Sequence, residues 1–162
     1  MSNKEPAVVV KKEKVVIPRT YDTYMAVIGN SAGVEMFRNV YADVDGEYTD
    51  ITDNGDLSCA FFVSSVLKIF GLIKEIHITV NSTVKDMERN GWVDTDDPEP
   101  GDVVVWSEEH SNEEKHRHIG FFLGEDRAIS NSKHKRHPIE HSLEMKDREV
   151  ERFLRSDVLR QR

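Results

Sequence analysis

Asn54-Gly-Asp-Leu-Ser-Cys59-Ala-Phe-Phe-Val-Ser-Ser-Val-Leu67 holds the only cysteine of the chain and reads as a turn running into an apolar helix. The helix is expected to run to about Phe70 and to stop near Gly71. A thiol at the head of such a helix meets the positive end of the helix dipole and several backbone N–H groups that lack partners. That setting favours thiolate, the form of cysteine that attacks carbonyls.

Upstream, Thr20 to Ala42 reads as helix, with Tyr24, Val27 and Ile28 at helical spacing and a break between Gly29 and Gly33. Residues 43–56 are acidic and turn-rich and read as a loop beside the cysteine. Residues 1–18 are polar and lysine-rich, end at Pro18, and read as a flexible tail; residues 19–162 are expected to form one domain. Downstream, a short helix is expected from Ser82, its N-cap, to Gly91. A Pro/Asp loop follows over 94–100. Strands are then expected at 102–106, 118–124, 127–131 and 149–155, with a charged loop over 107–115. Helices first and an antiparallel meander after them predict an α+β domain.

Composition narrows the function. The chain has 162 residues, enough for a sizeable core, and 32% of them are charged. A net charge of -8 argues against nucleic-acid binding, which needs a basic face. No apolar run approaches the length of a membrane span. Nothing reads as a signal peptide, because Ala7-Val-Val-Val is short and is followed by lysines. Action outside the cell would need another export route. One cysteine allows no internal disulfide and indicates no compartment.

Three further segments complete a pattern. Pro100-Gly101-Asp102-Val-Val-Val-Trp106 leads into a strand, His118-Ile119-Gly120-Phe-Phe-Leu-Gly124 opens one with a histidine, and Ala128-Ile129-Ser130-Asn131 lies one strand later. With Ser58-Cys59-Ala60-Phe61-Phe62-Val63, this order and spacing over residues 37–132 resembles the NlpC-type and CHAP-type cysteine peptidases. Those are papain-like amidohydrolases that cut peptide bonds in bacterial cell walls. The chain departs from that pattern beside the nucleophile. Where the family usually has aspartate before the cysteine and serine after it, this chain has Ser58 and Ala60, with Asp56 three residues back.

The resemblance implies a papain-like fold, a peptide or peptidoglycan-fragment substrate, and no metal or other cofactor. It implies Cys59 as nucleophile, His118 as general base and then acid, and a polar residue that orients the imidazole. Asn131 is the expected orienter and Ser130 the alternative; in a regular strand they point to opposite faces, so only one reaches the histidine. The Cys59 backbone N–H would be one oxyanion donor. Tyr48, eleven residues before Cys59, is the better candidate for a second, and Tyr41 the weaker. Ser58 and Ser130 are further candidates for oxyanion or substrate contact.

Other readings stand beside this one. The fold could act on a non-cell-wall amide or ester, or be a catalytically degenerate binding module. His134, His137 and His141 at spacings of three and four would share a helix face as metal ligands, but Pro138 breaks that helix. The segment Lys133-His-Lys-Arg-His137 therefore reads as a solvated basic loop bordering the cleft. Trp106 and Phe121 read as core, and Asp102 as a brace for its loop.

Overall fold

Tyr24 and Ile28, four residues apart, lie on one face of helix α1 (Thr20–Asn30), and both are fully buried. A computed structural model describes residues 13–110 and 115–160 of the chain. Residues 13–19 carry no helix or strand, and the rest of the expected tail lies outside the described residues, as do 111–114 of the charged loop.

The reading of helix up to Ala42 fails beyond Asn30. The chain passes through one 3-10 turn at Glu35–Phe37 and then forms a hairpin, β1 (Tyr41–Val44) and β2 (Glu47–Asp50). Its two-residue turn is Asp45-Gly46, both at positive φ (52° and 87°). That is the geometry of the turns that match strand twist. The strands gave no signal because most of their residues are exposed, so no apolar alternation marks them.

Helix α2 (Cys59–Ile69) and helix α3 (Val80–Arg89) follow. In α2, Ala60, Phe62, Val63, Val66 and Leu67 are buried. Phe62 packs edge-on to Phe121 at 5.5 Å and tilts against Phe37 at 5.1 Å. Burying one side chain of this size stabilises the fold by about 1.5–3 kcal/mol. Helix α3 starts earlier than expected: Thr79, not Ser82, is its cap, and the Thr79 Oγ1 accepts the Ser82 N–H at 3.2 Å.

Six strands form the main sheet: β3 (Val93–Asp94), β4 (Val103–Trp106), β5 (His118–Gly124), β6 (Arg127–Ser132), β7 (His137–Ser142) and β8 (Val150–Arg155). Their order is β3-β8-β4-β5-β6-β7 and every described pairing is antiparallel. The chain is therefore a mixed α+β fold: β4 to β7 make the meander, and β8 returns to the far side of β4. Side chains alternate between its faces. Val103, Val105, Ile119, Phe121 and Ile129 join the α2 core, while Val104, Trp106 and Ala128 make a smaller cluster on the other face.

Residues 133–136 of the expected basic loop form a largely exposed turn, and the chain then enters β7 at His137, where no strand was expected. Pro138 is compatible with it because β7 is an edge strand. The helix face that would have aligned His134, His137 and His141 does not exist.

Two buried carboxylates fix the loops. Asp102 accepts the Glu99 N–H at 2.8 Å and pairs with Arg155 at 2.8 Å and Arg160 at 3.2 Å. It braces its loop, as the sequence reading expects. Asp86 accepts the N–H groups of Lys74 and Glu75, the His77 ring at 2.8 Å and the Asn90 amide at 2.8 Å. Burial alone would raise its pKa, but these bonds outweigh burial and hold it below the ordinary value. A carboxylate with a depressed folded-state pKa stabilises the fold above its unfolded pKa of ~3.9, and that stability is lost as pH falls through the folded value. Asp86→Ala leaves the Lys74 and Glu75 N–H groups and the His77 ring without their acceptor and is expected to cost about 1–3 kcal/mol. Urea melts at pH 7 and pH 3 check this: the gap between wild type and variant narrows at pH 3.

Candidate functional site

Ile119 turns into the α2 core, and this places the start of β5 against the head of α2. The backbone N–H groups of Ile119, Ala60 and Cys59 itself act to lower the Cys59 thiol pKa. Cys59 is partly buried, and together with His118, Ser130, His141 and Arg148 it lines a cavity of about 480 Å³. The fold thus brings the candidate nucleophile and candidate base to one cavity from positions 59 residues apart.

Between the two candidate orienters, the strand geometry selects Ser130. Its hydroxyl lies 2.8 Å from the His118 Nε2. Asn131 projects to the opposite face and donates its Nδ2–H to the Gly55 carbonyl at 2.8 Å. The expectation for Asn131 is corrected on that ground: residue 130 shares the face of His118 because it pairs with Gly120, two residues on from the histidine. Asn131 acts on the cysteine's loop instead. With Arg136, which donates to the carbonyls of Asp53 and Asn54 at 3.0 Å each, it ties that loop to the end of β6.

Tyr48 does not line the cavity. It is largely exposed on β2, where its ring stacks on Tyr41 at 5.2 Å. Both tyrosines belong to the hairpin that the sequence reading took for helix and loop. Ser58 is fully buried and donates to the Arg38 carbonyl at 3.2 Å, so it holds the loop and does not face a substrate. Trp106 and Phe121 are fully buried, in keeping with the reading of both as core. Trp106 forms a floor on which His118 (ring centroids 5.4 Å apart) and His141 (5.7 Å) both rest.

The roles of two residues escape the sequence reading, which set His141 only among the candidate metal ligands. His141 approaches the Ser130 Oγ at 2.7 Å through its Nε2. Arg148 donates to the carbonyls of Ser107 and His116 and pairs with Glu109 at 3.3 Å, and Glu109 also pairs with Lys133 at 3.0 Å. This pairing joins the β4–β5 loop to the β6–β7 turn beside the cavity. The alternation of His137, Ile139 and His141 was the available signal for His141, and Pro138 obscured it.

Electrostatics set the resting state. Burial pushes the His118 pKa down to about 3, helped by the positive charge of Arg148 and by His141 and Lys133, against the raising effect of Glu109. Burial also pushes the Cys59 thiol up, although the three N–H groups and Arg148 pull it down. The sequence expectation of a thiol lowered by the helix N-terminus is corrected here: the donors are present, but loss of solvent outweighs them. At neutral pH the resting chain holds a thiol and a neutral imidazole.

Among the described residues, no cluster of three or more histidine, cysteine or carboxylate side chains is placed to hold a metal ion, and no helix is long and apolar enough to cross a membrane. Comparison of the chain with protein-family models gives no match, and comparison with curated proteins gives none.

Proposed function

We propose that the chain is a papain-like cysteine hydrolase that cleaves amide bonds in peptides, with peptidoglycan stem peptides or cross-bridges as the substrate class. The observation that carries this reading is the placement of His118, bonded through Nε2 to Ser130, in the cavity that Cys59 also lines. Support comes from a second cleft of about 340 Å³, lined in part by Ile51, Leu57, Ile78 and Val80, that also borders Cys59. Cys59 borders both clefts, as a nucleophile would if a peptide were to lie on both sides of it.

The chemistry follows in two halves. The Cys59 sulfur attacks the substrate carbonyl carbon while its proton passes to His118, and the Cys59 N–H donates to the oxyanion. The C–N bond breaks, and the leaving nitrogen takes the proton from the imidazolium, which leaves a thioester. Water then attacks the thioester, giving up a proton to His118. The C–S bond breaks, the acid departs and the thiol is restored.

A catalytically degenerate binding module of the same fold is the second reading, and the neutral resting pair favours it. Substrate-driven acylation separates the two. Incubation with soluble muropeptides should release fragments with new amino termini and leave a transient thioester adduct detectable by mass on wild type and absent from Cys59→Ser. Iodoacetamide labelling of the free protein should stay slow at pH 6 and rise only above the ordinary thiol pKa of ~8.5, as the raised Cys59 value requires. Muropeptides that bind without release or adduct would support the binding module. Fast hydrolysis of unrelated amides or esters alone would move the substrate away from the cell wall.

A further inference from the structure

We infer that His141 is a positioning residue that sets the tautomer of His118 through the Ser130 hydroxyl; this rests on the reading of His118 as the general base. The direction of each hydrogen bond is fixed by the one before it. The Ser142 carbonyl can only accept, and the His141 Nδ1 lies 2.7 Å from it. The Nδ1 therefore carries the proton, and the Nε2 of the neutral ring is bare. Facing Ser130 Oγ at 2.7 Å, that bare nitrogen accepts the hydroxyl hydrogen. The serine oxygen is left with lone pairs only, so it accepts from the His118 Nε2–H at 2.8 Å. With Nε2 protonated, the His118 Nδ1 is the free lone pair of the ring and is the nitrogen able to take a proton from a thiol.

A serine alone would not achieve this. A hydroxyl both donates and accepts, and Ser130 without a second partner could donate to the His118 Nε2 and drive the proton onto Nδ1. That tautomer has no base to offer Cys59. His141 removes the ambiguity by consuming the one hydrogen that Ser130 owns. Burial keeps both imidazoles neutral, since the pKa of each is lowered chiefly by loss of solvent. Trp106 holds the two rings in place from one side.

The test is the tautomer itself. In ¹⁵N-histidine-labelled wild type at pH 7, His118 should show the Nε2–H pattern. His141→Ala should shift it toward Nδ1–H and lower kcat on muropeptides by roughly 10- to 100-fold with KM little changed, the usual effect of removing a partner that orients a histidine. His141→Gln, whose side-chain carbonyl can accept from Ser130, should restore both. Ser130→Ala should lose the pattern in the same way as His141→Ala. An unchanged His118 tautomer in His141→Ala and Ser130→Ala overturns the inference whatever hydrolysis does. A tautomer that shifts as expected in a protein that cleaves no substrate upholds the positioning role and overturns the hydrolase reading. Should His141→Ala fail to fold, His141→Phe, which keeps a ring against Trp106 but cannot accept from Ser130, gives the same decision.

Discussion

On the proposed hydrolase reading, His118→Ala is expected to lower kcat/KM for muropeptide cleavage by about 10²- to 10⁴-fold, the range for removal of a general acid–base. The loss should fall on kcat, because the imidazole moves protons in the transition state and does little to hold the ground state. Thiol attack needs a group to receive the sulfur proton. Among the described residues His118 is the titratable group of β5, one residue before Ile119, whose N–H lowers the Cys59 thiol pKa, and it lines the cavity that Cys59 lines. Its ring also packs on Trp106, so alanine removes packing as well as a base. His118→Gln separates the two effects: it retains most of the volume and a donor toward Ser130 but cannot act as a base. Both variants should be equally inactive, with far-UV circular dichroism like wild type. A glutamine variant with wild-type turnover would remove His118 from the chemistry.

The pH profile sharpens that expectation. A free-enzyme imidazole with a pKa near 3 is already neutral at pH 5. A falling acid limb in kcat/KM should therefore not appear between pH 5 and 7 from this residue. An acid limb in that window is expected only in kcat, which reports the substrate complex, and only if bound substrate sets a carboxylate beside the ring. An acid limb near the ordinary histidine value of ~6.5 in the unliganded protein would show that burial does not govern the ring.

Sequence alone carried the parts of the fold whose signal is local and apolar. The α2 segment, the Val103–Trp106 strand and the His118–Gly124 strand are runs of buried residues with turns at their ends, and all three appear where expected. Elements held by polar or mixed faces were not legible. β1 and β2 are exposed, and β7 carries Pro138 and two histidines, so neither shows an apolar period. The site divides in the same way. Cys59 and His118 were readable because each opens an apolar element. Choosing between Ser130 and Asn131 needed the β5–β6 register, which depends on pairing between strands and on no local pattern. His141 was hidden by the loss of β7. The ionisation state was misread because dipole and N–H donors are visible in sequence, whereas burial is a property of the folded chain.

Gly120→Ala is expected to damage stability and site together. Gly120 lies opposite Ser130 in the β5–β6 register and carries no unusual backbone angle, so its requirement is space rather than conformation. A Cβ at this position would stand 2.5 Å from the Ile129 carbonyl oxygen, 2.8 Å from the Ser130 Cβ and 3.1 Å from the Trp106 Cζ3. The first of these neighbours is backbone, and the third is a fully buried ring whose Nε1–H is held by the Leu143 carbonyl at 3.0 Å. Neither can rotate away as a flexible side chain would, so β6 must move out or Trp106 must tilt. Overpacking of this kind typically costs 1–3 kcal/mol, and backbone contacts place this case at about 2–3 kcal/mol. Either relief also moves a member of the relay: an outward shift of β6 lengthens the 2.8 Å bond from His118 to Ser130, and a tilt of Trp106 disturbs the floor under both imidazoles. Turnover should fall by about 10²-fold in the fraction that remains folded, as happens when catalytic groups are displaced by ~1 Å. Thermal melts report the first effect and ¹⁵N histidine spectra the second. A variant as stable as wild type would mean that the two strands part freely here. One that is destabilised but keeps the His118 Nε2–H pattern and full turnover would show that glycine serves packing alone.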